Sequence, residues 1–265
     1  MAAPESAVEP TGYVDWKRWD AAAFGRFSKA EARYFGWHLQ RCGVGGSAQV
    51  LEIGFGNGAF LGYARQRGLG VAGIEIEPTL RARAQALGVP AAADLQGLAD
   101  GLPTFDLIVA FDVFEHLSRD ALAGWLQQAC VRLSPQGVLL CRVPNGDSPF
   151  GRKHQHGDVT HVSVWSLDAL VLTAASAGLR LRYQREAPWH SMPDRRRNLG
   201  SLSRACVQAV LEAAVRYAYR WKDLQLAPNL VAAFEREPGP RSGTADNPVA
   251  VAARLAVSTN GPAPG

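Results

Sequence analysis

Three glycines at alternate positions, Gly54, Gly56 and Gly58, follow the apolar run Val50-Leu51-Glu52-Ile53. This spacing lets the main chain leave a strand, turn sharply and hold bare amides against a ligand, because no Cβ stands in the way. A helix N-terminus built like this ordinarily favours phosphate, but a carboxylate at Glu52 would repel one. The expected ligand therefore carries positive charge, as an ammonium or a sulfonium does. A second group of reactive side chains is histidine-rich: of six histidines, His116, His154, His156 and His161 fall in two loops. Imidazole takes up and releases protons near neutral pH, so it suits the activation of a hydroxyl. His161, with Asp158 as an orienting carboxylate, is the first choice for such a base; His116 is its rival and His156 a third candidate. His154, His156, Asp158 and His161 also offer metal-ligand atoms, but their spacing matches no strong metal signature, and no metal is expected.

These groups need a scaffold, and the chain alternates strand and helix patterns. Strands are expected at 49–53, 70–74, 105–110 and 137–143, with a weaker one at 89–93 and helices at 59–67, 78–86 and 119–133. Short apolar strands joined by helices of this length form right-handed crossovers, which implies a parallel, doubly wound α/β sheet covered on both faces. Ligands of such sheets bind beyond the carboxyl ends of the strands, which is where the glycine loop falls. A helix at 166–177 has Ser166 as N-cap and Gly178 as stop, and strands at 179–184 and 229–234 complete a seven-stranded sheet. Ahead of the sheet, Trp16, Trp19, Phe24, Phe27, Tyr34, Phe35 and Trp37 recur at roughly helical spacing, giving two short covering helices within 13–46. The main domain is expected over 47–237 with a helical insertion at 190–226. Within it, the amphipathic stretch 195–221 could cap the pocket, form a homodimer interface or lie on a membrane surface. Residues 1–12 and 238–265 are rich in Pro, Ala and Gly and are expected to be loose.

With 265 residues and 47% hydrophobic content, the chain can bury one sizeable core. The formal charge of +4 is mild, and much of it comes from Arg180, Arg182, Arg185, Arg195, Arg196, Arg197 and Arg204, a patch suited to an anionic substrate or membrane surface. No nucleic-acid motif accompanies it. Cys42, Cys130, Cys141 and Cys206 form no CxxC pair and read as buried thiols. The N-terminus lacks a basic region followed by an apolar core, and no segment reaches the roughly 18 apolar residues that span a bilayer. A cytoplasmic location is expected, with the inner face of the membrane as its variant.

Taken together, Leu51-Glu52-Ile53-Gly54-Phe55-Gly56-Asn57-Gly58, Gly73-Ile74-Glu75 and Phe105-Asp106-Leu107-Ile108 continuing into Phe111-Asp112-Val113-Phe114-Glu115-His116-Leu117 resemble the class I S-adenosylmethionine-dependent methyltransferases over about residues 47–185. The resemblance implies a Rossmann-like sheet with S-adenosyl-L-methionine as cofactor. It places Glu52, Gly54, Gly56 and Gly58 around the cofactor, Glu75 on the ribose hydroxyls with Ile76 beside it, Asp94 on the adenine amino group with Leu95 next to it, and Phe111 at the end of the fourth strand. NAD is the competing ligand, but its fingerprint ends in a three-residue glycine interval, whereas Gly56 and Gly58 are two apart. The stretch Gly157-Asp158-Val159-Thr160-His161-Val162-Ser163-Val164-Trp165-Ser166 is similar to a loop of methyltransferases associated with surface polysaccharide and lipopolysaccharide biosynthesis, with Val159 where many of them have proline. That likeness implies O-methylation of a sugar hydroxyl on a glycan or glycolipid intermediate. A methyltransferase for a quinone-like or other lipophilic small molecule is the alternative, and a non-catalytic cofactor-binding partner a further one.

Overall fold

The computed structural model describes residues 17, 19–98, 104–187, 199–221 and 224–238. Its strands are β1 (Gln49–Ile53), β2 (Gly70–Ile74), β3 (Ala91–Ala92), β4 (Phe105–Phe111), β5 (Leu133–Pro144), β6 (Leu179–Gln184) and β7 (Asn229–Arg236). Its helices are α1 (Lys29–Cys42), α2 (Ala59–Gln66), α3 (Pro78–Ala86), α4 (Arg119–Arg132), α5 (Arg152–Gln155), α6 (Leu167–Ser176) and α7 (Leu199–Tyr219). One seven-stranded sheet runs in the order β3-β2-β1-β4-β5-β7-β6, and the order reverses at β1 and β4, so the crevice opens beside the glycine loop.

Alternation along the strands explains why both faces are covered. Leu51, Ile53, Ile108 and Ala110 enter one apolar layer with Leu122 and Leu126 of α4 and Leu170 of α6. Val50, Leu107 and Val109 enter the other with Tyr34 and Phe35 of α1 and Phe60 of α2. Successive strand residues point to opposite faces, so strands this apolar need helices on both sides. Helix starts are fixed locally. Ser28 and Glu31 form a reciprocal capping box on α1, and Ser118 and Ser166 accept from the third residue of α4 and α6, which satisfies amides that would otherwise lack partners.

Two expectations require correction. The sheet is mixed, because β7 runs antiparallel between β5 and β6. The end of β6 lies beside the start of β7, Gln184 against Ala232, so the chain leaves β6 and enters β7 at the same end of the sheet. A connection that does not cross a face delivers its strand running backwards. Among the described residues the N-terminal cover has one helix, α1, preceded by a 3-10 turn at Ala21–Ala23, where two short helices were expected within 13–46. This segment behaves as a strap: the Gly25 amide donates to the Asn57 carbonyl at 2.8 Å, and a Cβ at Gly62 would stand 1.8 Å from the Gly25 oxygen. The strap can lie on α2 only because residue 62 has no side chain.

Helix α7 does not bury the apolar stripe read in the sequence. Val207, Val210 and Tyr217 are exposed, Tyr217 to 90%. The helix is held instead by Arg216 donating to the Leu224 carbonyl and by Glu212 accepting from the Leu226 amide. Cys206 is likewise exposed rather than buried, while Cys42 and Cys141 are buried. Residues 1–12, Arg195–Arg197 and the tail from 239 lie outside the described residues.

Candidate active site

The glycine loop leaves β1 with Gly54, Gly56 and Gly58 at φ of 62°, 49° and 74°, a left-handed region that side chains with a Cβ enter at a cost. The strap closes over it. A Cβ at Gly56 would meet Trp19 at 2.8 Å, and one at Gly58 would meet Phe24 at 2.9 Å. Glu75, at the end of β2, braces the same loop: its carboxylate accepts from the Gly56 amide at 3.0 Å and from the Glu77 amide at 3.2 Å. Each carboxylate oxygen keeps a further lone pair for a ligand hydroxyl. Burial raises the Glu75 carboxyl above its ordinary value, against these amides, which favour the charge.

Glu52, read in the sequence as the carboxylate that meets a ligand's positive charge, is a buried residue of β1. It is 4% exposed, and burial pushes its carboxyl well above the usual carboxylate range, with Glu75 adding repulsion and the Leu61 amide opposing the shift. Its Oε2 has no hydrogen-bond partner. A buried oxygen of this kind is costly until a donor reaches it, and a ligand ammonium is such a donor. Ile76 is 78% exposed at the rim beyond β2, free to pack on a ligand ring. Asp94 Oδ1 accepts from the Gln96 and Gly97 amides, so that oxygen caps its own turn. The Leu95 side chain is buried in the core, and the Phe111 ring is stacked on Phe35 at 5.8 Å and tilted against Tyr34. With its side chain in the core, Leu95 can meet a cofactor only through its main chain, whereas Phe111 is half-buried.

The loops after β4 and β5 bring together groups distant in sequence. His116 and His161 meet with ring centroids 4.6 Å apart. Donor logic fixes both tautomers. The His161 Nδ1 lies 3.0 Å from the Gln155 carbonyl, which only accepts, so Nδ1 carries the proton. Thr160 Oγ1 gives its hydrogen to Asp158 at 2.5 Å and therefore accepts from His116 Nδ1 at 3.0 Å. In the neutral form of each ring the lone pair then sits on Nε2. His161 Nε2 lies 3.8 Å from Glu115 Oε1 and 3.9 Å from Asp158 Oδ2, with the ring 8% exposed. Glu115 is 1% exposed, and among the described residues neither carboxylate oxygen has a hydrogen-bond partner; burial, assisted by Asp112, pushes its carboxyl up to about 8. Burial and then His161 lower His116 below its ordinary value. Burial opposes ionisation of Asp158, yet the Lys17 ammonium at 2.8 Å and the Thr160 hydroxyl hold it well below the usual carboxylate range.

His154 and His156 are exposed on the turn around α5 and make none of the cluster's hydrogen bonds. Sequence reasoning missed Glu115, Thr160 and Lys17 as members of the cluster, and Asp112 and Arg142 beside it. Asp112 has φ of 57°, and the Arg142 guanidinium pairs with its carboxylate through Nε at 2.8 Å and through Nη2. The signal was present for two of them, since Asp112 and Glu115 flank the same turn as His116. A separate cavity of about 450 Å³ lies outside this cluster between α7 and the loop after β5, lined by Phe150, Leu211, Val215, Trp221 and Leu226 among others.

A glycine cradle and an acid at the next strand end, beneath a strap and beside a histidine pair, define a cofactor-dependent group-transfer enzyme. A family model described as a methyltransferase domain matches residues 24–184, and the chain belongs to that family. No curated protein matches it. Solved structures share the fold: a TehB-like SAM-dependent methyltransferase from Corynebacterium glutamicum (TM-score 0.53, 21% identity, covering 84% of this chain and 95% of that one), and an S-adenosylmethionine-dependent methyltransferase from Clostridium acetobutylicum (0.54, 8%, 84% and 98%). The PH0226 protein from Pyrococcus horikoshii is a third (0.56, 12%, 84% and 99%). The protein is an S-adenosylmethionine-dependent methyltransferase, and its residues fit that cofactor. The Cβ-free glycine turn, the Glu75 carboxylate with lone pairs to spare, the Glu52 oxygen and the exposed Ile76 would provide for its main polar and apolar parts.

Proposed function

We propose that the enzyme methylates a hydroxyl oxygen, with His161 Nε2 receiving the hydroxyl proton and a sugar hydroxyl of a glycan or glycolipid intermediate as acceptor. The cofactor supplies the electrophilic methyl group; the chain must align the acceptor, exclude water and take the proton. The carrying observation is the tautomer of His161, whose Nδ1–H is engaged by the Gln155 carbonyl, leaving the lone pair on the nitrogen that faces the cluster. The ionised Asp158, 3.9 Å from His161 Nε2, favours the imidazolium formed when the proton arrives, and His116, held by Thr160, shapes the opposite wall. The hydrogen-bonding character of Lys17, Asp158 and Thr160 and the resemblance of the 157–166 loop support a polyol acceptor. Mass spectrometry of candidate glycans and lipids with methyl-labelled cofactor tests the reading. Replacement of His161 by Ala lowers kcat about 10²- to 10⁴-fold if it is the base; undiminished methylation in both His161→Ala and His116→Ala excludes both.

One observation favours a lipophilic acceptor as the second reading: the apolar cavity beside α7 adjoins the exposed Tyr219–Trp221 stack, a pairing suited to a membrane interface. No helix among the described residues is long and apolar enough to cross a membrane. Liposome flotation combined with the acceptor screen separates the readings: binding to vesicles with methylation of lipids alone favours the second.

A further inference from the structure

The histidine cluster has the donor set and the outer support of a metal centre. We propose that Glu115, His116 and His161 form a binding site for a divalent transition cation of the zinc class. The ligand atoms these residues offer all lie within 4.8 Å of one another. Each imidazole has its Nδ1 hydrogen engaged, His161 by the Gln155 carbonyl and His116 by Thr160. Outer hydrogen bonds of this kind fix a ligand ring and present Nε2 to a metal. The third donor is a carboxylate that is 1% exposed and has no hydrogen-bond partner on either oxygen, with Oε1 turned toward His161 Nε2. A buried carboxyl facing two imidazole lone pairs lacks donors, and a cation satisfies all three at once.

The geometry is near that of a loaded site. Ligands bonded at about 2.05 Å to a tetrahedral ion stand about 3.3 Å apart, so the Glu115–His161 pair, at 3.8 Å, must close by about half an ångström. Two imidazoles and one carboxylate suit zinc, cobalt or nickel better than magnesium or calcium, which prefer all-oxygen shells. Three protein donors leave a fourth position open on the side where Asp158 Oδ2 approaches His161 Nε2 at 3.9 Å. Occupancy has a consequence that rests on the proposed role of His161: a nitrogen bound to a cation has no lone pair for a hydroxyl proton, so the cation and proton transfer compete for one atom.

The test uses the whole chain, stripped with a chelator and titrated with Zn²⁺ against a chromophoric competitor. Saturation at one ion per chain is expected, with Glu115→Gln and His161→Asn each weakening affinity at least about 10-fold and His154→Asn leaving it unchanged. Because a buried substitution can unfold the chain, X-ray absorption of the loaded native protein provides a second readout. Two imidazoles in a nitrogen and oxygen shell at about 2.0–2.1 Å support the site, and a shell dominated by sulfur at about 2.3 Å overturns it. Absence of saturable binding by the native chain also overturns it, and leaves the base assignment standing if His161→Ala is inactive. Saturable binding with undiminished methylation keeps the site and removes His161 as the base.

Discussion

Replacing Glu75 by Gln isolates the link between the cofactor's ribose and the glycine loop. The native carboxylate accepts from the Gly56 and Glu77 amides through different oxygens. Glutamine retains one acceptor oxygen, so one amide loses its partner and no charge remains to receive ribose hydroxyls. Hydrogen bonds to charged groups are worth about 1.5–3 kcal/mol each. Loss of one such ligand bond weakens cofactor binding about 10- to 150-fold, and loss of the loop bond lowers the thermal midpoint by about 3–12 °C. The fold is held by the two apolar layers rather than by this loop, so the variant stays folded. Isothermal titration with S-adenosylmethionine, alongside calorimetric melting, reads both effects. Native affinity in a folded Glu75→Gln protein would refute the ribose assignment, and an unfolded variant would refute the claim that the loop is dispensable to the core.

Other outcomes are equally specific. Gly62→Ala drives a Cβ against the Gly25 carbonyl, 1.8 Å away, and the overpacking costs about 1–3 kcal/mol, partly offset by better helix propensity; faster proteolysis within residues 20–28 is expected, and an unchanged rate would show that the strap does not rest on α2. His38 is buried, and that burial, with Arg142 and Arg41 adding to it, lowers its pKa to about 3. The unfolded chain therefore binds a proton below about pH 6.5 that the folded chain refuses. The stability this contributes is full above pH 6.5 and is lost as pH falls toward 3. Between pH 6.5 and 5 the native protein should lose about 2 kcal/mol relative to His38→Phe in urea melts; parallel pH curves would contradict the assignment. Asn145, buried after β5, donates to the Gln225 and Ala227 carbonyls and accepts from the Asp147 amide. Asn145→Ala should cost about 2–4 kcal/mol in the same melts, and a cost below 1 kcal/mol would show that this junction does not hold β5 to the segment entering β7.

The scaffold was legible because strand and helix limits coincide with local chemistry. Apolar runs such as 49–53 and 70–74 end at glycine turns or acids, and Ser118 and Ser166 announce α4 and α6. The direction of β7 was not legible, since an alternating run carries no sign of which way it enters a sheet. The role of α7 was not legible, because periodicity shows that a face is apolar and not what covers it. At the site, the glycine turn was readable from spacing, and Glu75 was named through the family resemblance. The His116–His161 pair was nominated residue by residue, but their meeting depends on a 45-residue excursion, and the part of Glu115 depends on burial that composition does not reveal. The burial of Glu52 was not legible for a related reason: the sequence does not show how deeply the end of β1 sits in the sheet.

A structure of the protein grown with S-adenosylmethionine measures the central claim directly. The account predicts ribose hydroxyls within hydrogen-bond distance of Glu75, the ligand ammonium directed to Glu52 Oε2 and the Gly54–Gly58 main chain against the cofactor. A crevice left vacant at saturating ligand, or one that takes the phosphates of a dinucleotide on those amides instead, would contradict it.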